Sequence, residues 1–215
     1  MSGDPVKREE PSVRTGDVAA LKAFAHPLRI RLYYALRNAR AASVSYLANS
    51  VEAPVAQVSY HLHQLNQHGF IEQAPQYARD GRERWWQLSE KRLGWDDSSL
   101  LDEPEAAAVA ATVKGSALTE QFRIIRDFHA EDDREWDPAW LDAAFMTDGI
   151  IDLTHDELSR MNAELMSVVD RYAALGAKWR QTSRTATRPG AERVMYVLHG
   201  FPVRRTWKTD GGARR

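Results

Sequence analysis

Between Val55 and Gln67 every side chain able to hydrogen-bond is an amide, a hydroxyl or an imidazole, and none carries a fixed charge. Gln57, Ser59, Tyr60, His61, His63 and Gln64 lie close together there, with the small Ala56 among them. Groups of this kind pair with base edges in the major groove of duplex DNA, whereas a surface helix selected only for solubility more often carries Lys and Glu. A second set, Arg79, Arg82 and Arg84, surrounds the dipeptide Asp80-Gly81. Guanidinium groups clustered at a turn suit phosphate contacts, which position a protein on DNA without reading its sequence. Ser59 and His61 fall nearer the apolar side of their segment, so packing is the alternative role for both.

Other constellations point to weaker chemistry. His129 and Asp132, with Asp133 and His155, offer nitrogen and oxygen donors to a divalent ion. Acidic runs are usually solvated faces, however, and no His-x-x-x-His pair occurs, so neither a metal nor any cofactor is expected. His199 sits in an apolar stretch and reads as a core histidine. Trp95, Trp136, Trp140, Phe145 and Met146 gather in one region; a cavity lined by them would suit a flat or cationic organic effector, the alternative being plain aromatic core. No Gly-rich phosphate loop, nucleophile elbow or His-Glu-x-x-His pair is present, and the chain is not expected to be an enzyme.

The elements that must hold the first two sets follow from periodicity. Pro54 suits a helix's first turn and Gly69 a left-handed C-terminal cap, bracketing about four turns with Val55, Val58, Leu62 and Leu65 as the buried stripe. Ser43 caps a short preceding helix whose apolar face is Val44, Leu47, Ala48 and Val51, and only Glu52 and Ala53 separate the two. Two short helices across so brief a turn make a helix-turn-helix. Upstream, Asp17 caps a helix that stops at His26, and Pro27 opens another with Leu28, Leu32, Tyr33, Ala35 and Leu36 inward and Arg29, Arg31, Arg37 and Arg40 outside. Downstream, Phe70–Ala74 and Arg84–Leu88 read as strands of a wing turning at Asp80-Gly81, with Trp85 or Trp86 directed to the core by strand alternation.

In order and spacing, HPLRIRLYYAL, SVSYLANSVEAPVAQVSYHLHQLNQHGFI and DGRERWWQLS resemble the arsenic-repressor-like (ArsR/SmtB) winged helix-turn-helix regulators over residues 17–92. The resemblance implies a dimeric DNA-binding transcriptional regulator, usually a repressor, whose recognition helix lies in the major groove. Two departures stand out. The thiolate metal ligands of many members are missing, since the chain has no cysteine, and His63 replaces a common lysine.

Beyond Lys91 the composition changes. Residues 94–104 read as a linker to a helix running from Pro104 to about Phe128, with Val109, Val113, Leu118, Phe122 and Ile125 on one side. Asp137 and Pro138 start a short helix, GIIDL reads as a buried strand, and Thr154 with Glu157 forms a capping box for the longest helix. Along it Leu158, Met161, Leu165, Val168, Tyr172, Leu175 and Trp179 repeat at alternating spacings of 3 and 4, the seam of a coiled coil. The seam is expected to meet its copy in a second subunit, the alternative being the strands of its own chain. Residues 194–198, in RVMYVLHGFPV, read as a strand buried on both faces.

Charge is unevenly spread. Residues 22–92 are net +5, residues 95–170 net −14 and residues 171–215 net +9, although the whole chain is only −1. The basic blocks suit a polyanion and the acidic one does not. With 43% apolar residues, no apolar run of membrane-spanning length and a polar N-terminus, a cytoplasmic globular protein is expected. The expected architecture is α+β: a disordered arm (1–16), a winged helix-turn-helix domain (17–93), the linker (94–104), a mixed α/β dimerisation or sensor domain with the long helix (105–205), and a tail (206–215). The expected function is homodimeric, sequence-specific binding of a double-stranded DNA operator, with an organic effector possible. The rival is a protein-interaction module built on the winged helix and the acidic block.

Overall fold

The computed structural model describes residues 21–79, 83–89, 104–130, 136–182 and 188–204, with side chains between 177 and 182 left aside. The arm, the Asp17 cap, the wing tip with Arg82, most of the linker with Trp95, Asp132, Asp133, the Trp179 side chain and the tail from 205 lie outside the described residues. The chain forms two compact units, divided between residues 135 and 136.

The first unit is built around α1 (Pro27–Ala39). His26 caps it, its Nδ1 accepting from the Leu28 amide at 3.2 Å, and Pro27 fills the position where a missing N–H costs nothing. Leu28, Ile30, Leu32, Tyr33, Tyr34 and Leu36 are all buried, so α1 is covered at Ile30 and Tyr34 as well as on the expected face. Arg29, expected outside, is half-buried and donates from Nη1 to the Ala23 carbonyl at 2.8 Å. Helices α2 (Val44–Ser50) and α3 (Val55–Gln67) follow. Ser43 caps α2 by accepting from the Tyr46 amide. The intervening turn places Glu52 at φ 50°, a left-handed conformation that costs a residue with a Cβ. Gly69, at φ 75°, closes α3, and the Phe70 amide returns to the Leu65 carbonyl in the 6→1 bond of a Schellman motif.

The sheet has three antiparallel strands in the order β1 (Ala41–Ser43), β3 (Trp85–Leu88), β2 (Ile71–Gln73). Two were expected and β1 was not. Its three residues are too few to show alternation, and Ser43 at its end signals only the helix that follows. In the register Ala42 lies opposite Trp86 and Ile71 opposite Leu88. Strand alternation is resolved in favour of Trp86, fully buried, while Trp85 is half-buried and stacks on Tyr77 of the 3-10 turn Pro75–Tyr77.

Helix α4 (Pro104–Ala130) belongs to this first unit and not to a separate C-terminal domain. It buries Ala106, Ala110, Val113, Ala117 and Glu120, and it packs on α1. The expected face holds at Val113, which is fully buried, and at Val109, which packs on the core, but not at Leu118 and Phe122, which are 38% and 65% exposed. Small side chains let the two helix backbones come close, and that contact outweighs the placement of the larger residues. Glu120 is buried yet paired, its two oxygens gripped by Nη2 and Nε of Arg123 at 2.7 and 3.0 Å, and the neighbouring Gln121 donates to the Tyr34 hydroxyl at 2.9 Å.

The second unit contains α5 (Pro138–Ala143), capped by Asp137, and α6 (His155–Thr182), opened by the expected Thr154–Glu157 box. The two strands expected here are absent: residues 144–154 and 191–204 are neither helical nor part of a sheet. Ile150, Ile151, Val194 and Tyr196 are 84%, 65%, 69% and 52% exposed, so these stretches are not buried within one chain.

Because Ala117 is buried in the core that α1 and α4 share, Ala117→Leu should destabilise the first unit by about 1–3 kcal/mol through overpacking. Urea unfolding should show a lower midpoint at unchanged slope; an unshifted midpoint would mean that the α1–α4 contact is looser than described.

Candidate nucleic-acid interface

Helix α3 is held by Val58, Leu62 and Leu65, each fully buried against α1, α2 and the sheet. At 13 residues it is about 20 Å long. Ala56, Gln57 and Tyr60 form its outward side and are exposed, Tyr60 by 60%. Val55, expected in the buried stripe, is 52% exposed, because the helix begins there and its first turn projects past the core. Pro54 stands at the N-cap and supplies no side-chain bond to the first amides, which leaves a positive helix end beside Ala56 and Gln57.

The remaining candidates divide into those near this surface and one that is withdrawn from it. Ser59 is half-buried, and its carbonyl lies 2.8 Å from Nδ1 of His63. A carbonyl can only accept, so His63 carries its proton on Nδ1 there; its ring also meets Trp86 edge-on at 5.5 Å. Gln64 is half-buried and donates to Gln67 at 3.1 Å. His61 is the correction. It is 5% exposed and its ring lies tilted at 38° against that of His26 with centroids 4.2 Å apart, so it is a core residue and not a base contact. Position 61 follows Val58 by three and precedes Leu65 by four, a spacing that places it on the apolar stripe.

Arg79 and Arg84 are exposed at the base of the wing. Between them Glu83, which the sequence reading passed over, accepts from the Arg79 amide and from the Trp85 indole at 3.4 and 3.0 Å. It braces the wing root from within and places one negative charge among the arginines.

The other expected sites are less assembled. Trp136 and Trp140 are half-buried, but Phe145 and Met146 are 86% and 78% exposed. Two shallow depressions, of about 690 and 360 Å³, lie along α4 and between α4 and α1, and none of these aromatics lines either. His129 packs edge-on to Phe128, and His155 lies 2.9 Å from Asp156 at the start of α6. On the seam of α6, Met161, Leu165, Val168, Tyr172 and Leu175 are 39%, 36%, 44%, 65% and 52% exposed and Leu158 is half-buried.

Residues 24–74 match the model of a family described as a helix-turn-helix domain. The matched span runs from Phe24 through α1, α2 and α3 into the first wing strand, and so contains the exposed helix side just described. That domain type points to DNA as the partner. No described helix is long and apolar enough to cross a membrane.

His61 adds a pH dependence. Burial, and then the charges of His26 and Arg29, hold its pKa below the ordinary value of about 6.5. The other ring facing it is Tyr60, at 5.1 Å. The unfolded chain therefore takes up a proton that the folded chain refuses, so stability is complete above about pH 6.5 and declines as pH falls below it. Denaturation of the wild-type protein from pH 7.5 to 5.5 should show that decline, and His61→Leu should flatten it; parallel profiles would assign the slope to other groups.

Proposed function

We propose that this protein is a transcriptional regulator that binds double-stranded DNA sequence-specifically as a homodimer, acting as a cytoplasmic repressor and not as an enzyme. The observation that carries the reading is the outward side of α3: an uncharged, hydrogen-bonding surface of Gln57 and Tyr60 beside the small Ala56, on a helix anchored by three fully buried side chains. An α-helix of this length fits the major groove, about 12 Å wide, and Gln pairs bidentately with adenine. Arg79 and Arg84 at the wing root supply positive charge for the phosphates on either side. The matched helix-turn-helix domain and its resemblance to the arsenic-repressor-like regulators support the same conclusion.

The homodimer is supported by the regular, solvent-facing seam of α6. The exposure of Phe145 and Met146 favours assembly over an effector pocket as the role of those two side chains. Against the rival reading, in which the winged helix docks a protein, stands the small apolar area on the outer side of α3: of its outward residues only Val55 and Tyr60 are large and apolar, and Tyr60 carries a hydroxyl.

Base readout and phosphate positioning separate by mutation. On a selected operator Gln57→Ala should cost about 1–3 kcal/mol and relax preference at one base pair, while Arg84→Ala should weaken all duplexes alike and lower the salt slope by roughly one. Fluorescence anisotropy over a salt series with operator and scrambled duplexes measures both. Binding that is insensitive to salt would favour a protein partner.

A further inference from the structure

Among the described residues of the second unit not one side chain is buried, although α5 and α6 are fully formed. Over the same span 17 large apolar side chains, from Phe145 to Val203, are between 36% and 86% exposed. Taking roughly 150–200 Å² for each large side chain at about half exposure gives on the order of 1,300–1,700 Å² of apolar surface per chain. A standard interface takes only about 800 Å² from each partner, and monomers rarely expose more than a few hundred in one patch. A unit with this surface and no core of its own does not pay for its chain entropy alone.

The stretch Arg193–His199 says what covers it. Val194, Tyr196 and Leu198 point one way by alternation and Met195 and Val197 the other, so a strand here is apolar on both faces and needs a layer on each. Among its described residues the second unit offers one long helix: Gly200 lies against Leu158 of α6, where an added Cβ would come within 3.2 Å of Cδ1. The stretch also belongs to no sheet in the single chain, and an apolar segment of that kind is a template for another strand.

We infer that Arg193–His199 pairs antiparallel with the same residues of a second copy across a two-fold axis, and that the two α6 helices lie side by side on one face of the resulting sheet. The core of the second unit is then made of two chains and exists only in the dimer. This deepens the homodimer part of the proposed function and rests on it, but it is independent of DNA.

A two-fold axis perpendicular to such a sheet places one residue of the strand opposite itself, with Cα atoms about 4.5–5.5 Å apart, within reach of a disulfide. Because the chain has no cysteine, the full-length protein can carry single cysteines one at a time from Arg193→Cys to His199→Cys without background. Under mild oxidation, covalent dimer should peak at one position and fall away on both sides, while Gln76→Cys on the first unit should give none. Sedimentation of the reduced proteins should show dimer throughout. A monomeric chain, or a dimer that cross-links at none of these positions, overturns the inference; a monomer would mean that the apolar surface is covered within its own chain. Duplex binding by the same reduced samples separates the two claims: cross-linking without DNA binding leaves the strand pairing standing and sinks the DNA reading, and DNA binding without cross-linking does the reverse.

Discussion

Almost every element of the first unit is positioned by contact with α1, whose buried residues run round most of its circumference. Helices α2, α3 and α4 and strands β1 and β3 all touch it. A helix apolar nearly all round is stable only when enclosed, so the elements around α1 form one cooperative core and not a set of separable pieces. Phe24 extends that core to the start of the described chain, meeting Tyr33 and Phe70 edge-to-face at 5.3 and 4.5 Å. The orientation of α3, and with it the surface it presents, is thus fixed by contacts on the opposite side of the helix.

That core carries unsettled polar groups. Nε of Arg29, Nδ1 of His61 and Nε1 of Trp86 are buried without a hydrogen-bond partner among the described residues. Two of the three belong to one cluster, His61 beside His26 and Arg29, directly behind the outward side of α3. Buried polar atoms of this kind cost stability. A more apolar residue at position 61 would remove that cost, so the histidine is retained at some expense to the fold.

Much of this was legible in the sequence because local chemistry and tertiary packing agree there. Pro27, Ser43, Gly69 and the Thr154–Glu157 box sit where they were expected, since caps and turns are set by neighbours a few residues away. The face of α4 was legible only in part: Val113 is buried as expected, the alanines beside it were not foreseen. Leu118 and Phe122 outweigh Ala106, Ala110 and Ala117 in any hydrophobic count, yet helix contact rewards small size, which periodicity does not weigh. The burial of His61 was visible in its spacing but competed with its chemistry. Strand β1 is defined by its pairing to β3, a contact more than 40 residues distant in sequence that no local pattern announces. The second unit inverts the usual relation. Its apolar patterning is strong and the described residues of the single chain leave it uncovered, so there the pattern does not predict burial within one chain.

The two sides of α3 draw on separate residues: Val58, His61, Leu62 and Leu65 hold the helix, while Ala56, Gln57 and Tyr60 look outward and bear almost none of its packing. Inheritance can therefore act on them separately. Substitutions on the outer side leave the fold nearly untouched and escape the stability threshold that removes most mutations. A duplicated copy of this chain could drift to a new recognition target through a handful of viable intermediates, each as well folded as its parent.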